Sequence, residues 1–238
     1  MPSVIFCVLC VKFCLGYEIP THISEQVPLV LSVTMKIILA SSSPRRAEVL
    51  RDAGIEFEVR PTAIDETLRS GESASGYVRR LAIEKARAAA EAATETGEFA
   101  VIGADTVVVD CNEIMLKPVS PDDSRRMLRR LSGGVHEVHT GVAVIRMPER
   151  AERVIEEVTR VHFAKLSDAE IEEYIATGEP FDKAGAYGIQ GIGGRYVTRV
   201  EGCYFNVMGM PLARLWAMLQ NPELEATRLA HHADHGGS

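Results

Sequence analysis

Residues Phe99 to Asp110 are apolar enough to predict a buried strand, yet Asp105 and Thr106 stand in the middle of the run. A carboxylate between Val101-Ile102-Gly103-Ala104 and Val107-Val108-Val109 lies too deep to be a casual surface charge. Burying it unpaired would carry the full desolvation penalty of an ion. Two readings follow: Asp105 faces a metal or a water, or it sits in a buried ion pair. Lys85, Lys117 and Lys183 are available as partners under either one.

The elements around this strand are regular. Lys36 to Ala40 reads as a buried strand, and Ser41-Ser42-Ser43-Pro44-Arg45-Arg46 then opens a helix, with Ser43 at the N-cap and Pro44 at the first helical position. Ala47, Leu50 and Ala53 supply its apolar face, and Gly54 ends it. Ile55 to Arg60 predicts a second strand, and Ser73 or Ser75 caps a long helix reaching about Ala93. Val78, Leu81, Ala82, Lys85, Ala86 and Ala89 share one face of that helix, which puts Lys85 on or beside a largely apolar stripe. Ser120-Pro121-Asp122-Asp123 begins a helix with Met127, Leu128 and Leu131 inward. Val135 to Arg146 and Arg153 to Leu166 predict an antiparallel pair. Ser167 and Glu170 form a capping box, Gly185 to Gly194 reads as a loop, Tyr196 to Val200 and Tyr204 to Met208 as short strands, and Pro211 starts a last helix.

Charge and composition exclude several classes. With 26 Lys and Arg against 33 Asp and Glu, the net charge of −7 argues against a protein that coats nucleic acid, although a local basic pocket is still allowed. Apolar residues at 46% and charged residues at 25% are the balance of a folded chain rather than a disordered one. Five cysteines, three of them (Cys7, Cys10, Cys14) in the first fourteen residues, give no disulfide framework, and no downstream Cys or His pair has metal-ligand spacing.

The first 34 residues differ from the rest. The apolar run from Val4 to Val11 is too short to span a bilayer, and no Lys or Arg precedes it as a signal peptide would require. The expected organisation is an extension over 1–34, or a translation start at Met35 with secretion as the remaining alternative; a single domain over 35–220; and a polar tail over 221–238.

Three clusters carry chemistry. A strand running into Ser41 to Arg46 places backbone N–H groups, hydroxyls and two guanidinium groups at a helix N-terminus, where cations are disfavoured unless an anion is present. The alternative is a capped surface helix with solvated arginines. Asp65-Glu66, in a loop, offers oxygen ligands suited to Mg²⁺ or Mn²⁺, or is solvated loop charge. In Glu179 to Gly194 the glycines let the backbone approach a ligand, Lys183 can meet a phosphate and Gln190 can read a base edge. Neither a Rossmann fingerprint nor a P-loop is present.

Taken in order, S-S-S-P-R-R at Ser41 to Arg46, G-A-D-T at Gly103 to Thr106 and D-K-A-G-A-Y-G-I-Q-G at Asp182 to Gly191 resemble the Maf nucleoside triphosphate pyrophosphatases. Lys117-Pro118, His139-Thr140-Gly141 and Val207 to Leu212 extend the resemblance from Met35 to about Leu219. It implies an α/β fold with a mixed, partly antiparallel sheet in two lobes around a deep cleft, similar to inosine triphosphate pyrophosphatases. It also implies hydrolysis of a nucleoside triphosphate to the monophosphate and pyrophosphate with a divalent cation. Thr106 and Gln190 favour the dTTP/UTP branch over the branch associated with 7-methyl-GTP.

On that resemblance Asp105 is the proton acceptor, and Lys85 and Lys117 offset developing charge. Ser41, Ser43, Arg45, Arg46 and Lys183 bind phosphates; Arg45, Thr106 and Gln190 set specificity; Glu66 and Asp105 hold Mg²⁺ or Mn²⁺. The expected setting is cytoplasmic, with a nucleoside triphosphate as partner, no nucleic acid, no membrane and a homodimer as the allowed assembly. A regulator of septum formation acting by protein binding is the alternative function.

Overall fold

The structure is a computed structural model, and it describes residues 35–220. The expectations for 1–34 and 221–238, and for Cys7, Cys10 and Cys14, lie outside the described residues. The described part carries a seven-stranded sheet in the order β2-β1-β3-β5-β6-β7, with β4 paired to β3 off that path. The strands are β1 (Lys36–Ala40), β2 (Glu58–Val59), β3 (Phe99–Asp110), β4 (Glu113–Met115), β5 (Val135–Met147), β6 (Ala151–Phe163) and β7 (Val197–Glu201). The helices are α1 (Pro44–Asp52), α2 (Ala74–Glu91), α3 (Pro121–Leu131), α4 (Asp168–Ala176), α5 (Tyr204–Val207) and α6 (Leu212–Gln220). β1 is parallel to both β2 and β3, and the remaining pairings are antiparallel, so the sheet is mixed as expected. Among the described residues no helix is long and apolar enough to cross a membrane.

The pairing along β3 places the site. One edge of β3 is paired by β5 from Phe99 through Val109. On the opposite edge β1 covers Phe99 to Gly103 and β4 covers Val108 to Asp110. Among the described residues Ala104 to Val107 therefore have no strand partner on that side, and the sheet has a gap beside Asp105 and Thr106. Because alternate residues of a strand leave on opposite faces, these two side chains enter the gap from opposite sides of the sheet.

Helices close both faces. Ala82, Ala86 and Ala89 of α2 pack on Ile38, Ala40, Val101, Ala143 and Ile145. On the other face α1 and α6 cover Leu39, Ala100, Ile102, Ala104, Val142 and Val144. Around the far half of the sheet, α3 and α4 enclose Val108, Val138, Val161 and Phe163. A Cβ added at Gly103 would lie 2.1 Å from the Ala82 carbonyl oxygen, and one at Gly141 would lie 2.2 Å from that of Val78. These two glycines let α2 rest on the backbone of β3 and β5, close enough for Lys85 to reach Asp105.

Several local expectations change. Tyr204 to Met208 is helical rather than extended, because Gly202 at φ 121° turns the chain and Asn206 is drawn into the interior; a short apolar run does not by itself separate strand from helix. The second strand shrinks to Glu58–Val59, since Pro61 has no N–H with which to continue a ladder. Ala53 is exposed at the end of α1, whereas Arg46 is buried with Ala47, Val49 and Leu50. Ser73 caps α2, and Ser167 with Glu170 forms the expected capping box.

Two predictions follow from this packing. Gly103→Ala is expected to cost more than the roughly 1–3 kcal/mol of ordinary overpacking, because the obstacle is helix backbone. At about 2–4 °C per kcal/mol for a domain of this size, thermal unfolding should show a fall of several degrees, and an unchanged melting temperature would contradict the contact. The second concerns His136, which is buried against Phe163 and Tyr187, with Nε2 2.8 Å from the Tyr187 hydroxyl and Nδ1 without a partner among the described residues. Burial lowers its pKa to about 4. A depressed pKa means that the neutral ring's contribution is full above about pH 6.5 and is lost as the pH falls toward 4, amounting to about 3 kcal/mol at most. His136→Gln should flatten the stability profile in that window, as read by urea unfolding at pH 7, 5.5 and 4.5.

Candidate active site

A cavity of about 520 Å³ opens at the gap in the sheet. Its lining includes Ser41 to Arg46 from the end of β1 and the start of α1, Asp105 and Thr106 from β3, Lys85 from α2, Glu66, Lys117, Asp182 and Lys183. Five cationic side chains thus meet three carboxylates in a chain whose overall charge is negative. That local excess of positive charge suits a polyanion.

On the α2 side of the sheet, Lys85 bridges two carboxylates. Its Nζ lies 2.7 Å from Asp105 Oδ1 and 2.6 Å from Glu66 Oε1. Lys85 and Asp105 are both buried, while the Glu66 side chain is half exposed. Burial works against the Glu66 charge, but the hydrogen bond from Lys85 and the positive charges of Lys85, Lys117 and Arg46 outweigh it and hold the carboxyl below the usual range. Tyr77, which sequence reasoning missed, donates from its hydroxyl to the Glu66 main-chain oxygen at 2.8 Å and fixes that loop. Asp65 does not line the cavity; its Oδ1 accepts from Thr67 N at 2.9 Å in a local turn.

On the other side of the sheet Arg46 is turned inward. Nε donates to the Gly209 carbonyl at 2.9 Å, Nη1 to Ser41 Oγ at 3.1 Å and Nη2 to Thr106 Oγ1 at 3.0 Å. Burial lowers its pKa, and the charge of Asp105 opposes that fall. Arg46 thereby ties β1, β3 and the segment before α6 around one guanidinium group. Arg45 stays nearer solvent, with Nη1 3.8 Å from Asp182 Oδ2. Ser43 takes the N-cap position of α1 without a side-chain capping bond, so its hydroxyl is not committed to the helix.

The glycine-rich segment forms the remaining wall through Lys183, Ala184, Tyr187, Gly188 and Ile189. Lys183 Nζ donates to the Glu179 main-chain oxygen and to Asp182 Oδ1, each at 2.6 Å. The Glu179 carboxylate accepts from Ile192 N, Gly193 N and the Tyr174 hydroxyl at 2.9, 3.1 and 2.8 Å. Glu179 thus anchors the loop, a role for which the sequence carried no signal beyond the position of an acidic residue. Gln190 is not among the residues that line the cavity.

Among the described residues no three His, Cys, Asp or Glu side chains cluster as a complete protein cage. Glu66 and Asp105 do converge on one cationic group, and one or two carboxylates are what a Mg²⁺ completed by phosphate oxygens and water takes from a protein. These residues fit a cation that arrives with a phosphorylated substrate.

The Maf-like protein family model matches residues 36–222. The dTTP/UTP pyrophosphatase of Koribacter versatilis (strain Ellin345) is 50% identical over 186 residues, spanning 78% of this chain and 94% of the relative. The dTTP/UTP pyrophosphatase of Citrifermentans bemidjiense is 52% identical over 180 residues, 75% of this chain and 91% of the relative. The solved structure of the nucleoside-triphosphatase / dITP/XTP pyrophosphatase of Mycobacterium abscessus is similar over 85% of this chain and all of that one, with a TM-score of 0.37 and 17% identity. With a family match that takes in nearly all of the described residues, and relatives about half identical over three quarters of its length, the chain belongs to the Maf-like protein family.

Proposed function

We propose that this protein hydrolyses nucleoside triphosphates, dTTP and UTP foremost, to the monophosphate and pyrophosphate. The observation that carries the reading is the gap in β3, where a carboxylate, a buried lysine and a helix N-terminus flanked by arginine meet in one cavity, in a chain half identical to proteins named dTTP/UTP pyrophosphatase. The alternative of a septum regulator draws no support from those relatives.

The triphosphate is assigned to the cavity wall at Ser41 to Ser43, at the start of α1. Arg45, Lys117 and Lys183 supply further positive charge along the wall. A water oxygen attacks the α-phosphorus, the bond from that phosphorus to the bridging oxygen breaks, and pyrophosphate leaves. Asp105 receives the water proton. Lys85 engages its Oδ1 and orients the carboxylate while Oδ2 is left for the water. As pyrophosphate departs, Lys85 and Lys117 offset the charge that builds on it. Glu66 and Asp105 are the residues to hold Mg²⁺ or Mn²⁺, which when bound neutralises phosphate charge and makes water more acidic.

The cavity also divides by polarity in a way that suits a nucleotide. Val108, Val138, Val207 and Met208 form an apolar part beside Thr106, away from the Lys85 group, and this is the seat for the base. The proposal carries with it a cytoplasmic role in clearing nucleotide pools, a homodimer as the allowed assembly, and neither nucleic acid nor membrane as partner.

A nucleotide panel with pyrophosphate detection tests the reading. dTTP and UTP should both turn over, with CTP, ATP and GTP poorer by at least about tenfold in kcat/KM, or roughly 1.4 kcal/mol of transition-state preference. Equal turnover of all five would refute the substrate assignment. Asp105→Asn should keep the far-ultraviolet circular dichroism of the wild type and lose at least about 10²-fold in kcat. Full turnover by a folded Asn variant would remove Asp105 from the chemistry.

A further inference from the structure

Thr106 stands at the boundary between the guanidinium of Arg46 and the apolar part of the cavity, and its hydroxyl proton can be located by counting. Thr106 Oγ1 accepts from Arg46 Nη2 at 3.0 Å and lies 3.0 Å from Thr140 Oγ1. Thr140 Oγ1 in turn lies 2.9 Å from the main-chain oxygen of Asn206. A carbonyl oxygen has no proton to give, so Thr140 donates there and spends its only one. The proton between the two threonines must then come from Thr106. Arg46 is a donor only, so it cannot take that proton instead.

The chain is held at its far end. Thr140 and Asn206 are fully buried. The Asn206 amide nitrogen donates to the Val138 carbonyl at 2.9 Å and to Thr159 Oγ1 at 3.0 Å, which fixes which way the side chain faces. Gly209 N donates to the same Asn206 carbonyl at 2.8 Å, and the Gly209 carbonyl receives Arg46 Nε. Arg46, Thr106, Thr140, Asn206 and Gly209 therefore close a ring of hydrogen bonds. If Thr106 turned its proton toward the cavity, two threonine oxygens would face each other at 3.0 Å with no hydrogen between them.

We infer that Thr140, backed by Asn206, is a positioning residue that makes Thr106 an obligate hydrogen-bond acceptor toward the cavity, and that Thr106 thereby selects the ring N3–H of thymine and uracil over the bare N3 of cytosine. This inference rests on the functional reading above. A phosphate oxygen, itself an acceptor, gains nothing from such a group, so the neutral end of the nucleotide belongs there. The apolar neighbours of Thr106 agree, since Val108 leaves β3 on the same face and Val138 lies beside it. An ordinary threonine could rotate its hydroxyl to serve either base, and the ring removes that freedom.

The test is kcat/KM for UTP and CTP in the wild type, Thr140→Val and Thr140→Ser, with thermal unfolding as a check on folding. Thr140→Val keeps the shape and removes the acceptor, so Thr106 is free to offer its proton to cytosine. The UTP/CTP ratio should fall at least about fivefold, CTP losing less than UTP or gaining, while Thr140→Ser keeps the ratio within about twofold. Should Thr140→Val not fold, Thr140→Cys, whose sulfur is a weak acceptor, should lower the ratio part of the way. A ratio that stays constant while both rates fall together means a structural role alone and overturns the proposal. Equal use of UTP and CTP by the wild type also overturns it, with pyrimidine hydrolysis left standing. A wild type that turns over neither nucleotide overturns the functional reading itself, and this proposal falls with it.

Discussion

One edge of the central strand β3 is paired over nearly its whole length, while among the described residues the other is paired only at its two ends. That interruption opens a cavity beside a strand whose two faces are otherwise covered by helices. A polar residue in the middle of a buried strand would ordinarily be a liability. Here the missing partner strand leaves a cavity, and two consecutive polar residues enter it from opposite faces. On the function proposed above, the hydrolytic group and the base-facing group are thus neighbours in sequence that serve different ends of one ligand.

Close approach of backbone makes the arrangement rigid. Gly103 and Gly141 lower α2 onto the sheet, and this brings Lys85 to Asp105 without a gap for bulk water. A buried ammonium shared by two carboxylates stabilises little relative to an apolar replacement, but removal of one member leaves the others costly, by about 3–5 kcal/mol for a buried pair. On the function proposed above, such a group is poised for a substrate rather than serving as a structural staple. On the opposite face Arg46 does serve as a staple, with three acceptors drawn from three separate segments.

The sequence made the local parts of this site legible and concealed the distant ones. Ser41 to Arg46 announces a helix N-terminus through short-range capping and proline signals, and Asp105 stands out because its neighbours are all apolar. Lys85 was readable from helical periodicity alone. Arg46 looked identical to Arg45, because its acceptors Thr106 and Gly209 lie 60 and 163 residues away. The ring through Thr140 and Asn206 was invisible for the same reason. The Tyr204 to Met208 segment misled, since five residues are too few to distinguish the period of a strand from that of a helix. Gln190 has the amide chemistry to read a base edge, whereas the glycine-rich segment meets the cavity through Lys183, Ala184, Tyr187, Gly188 and Ile189, a path that depends on contacts distant in sequence.

A crystal structure of the protein with α,β-imido-UTP, whose scissile bridge resists hydrolysis, tests the account most directly. The account predicts the triphosphate at Ser41 to Ser43 between Arg45 and Lys117, Asp105 beside the α-phosphorus, and the uracil N3–H on Thr106 Oγ1. A nucleotide bound away from the gap in β3, or one whose phosphates rather than base meet Thr106, would contradict it.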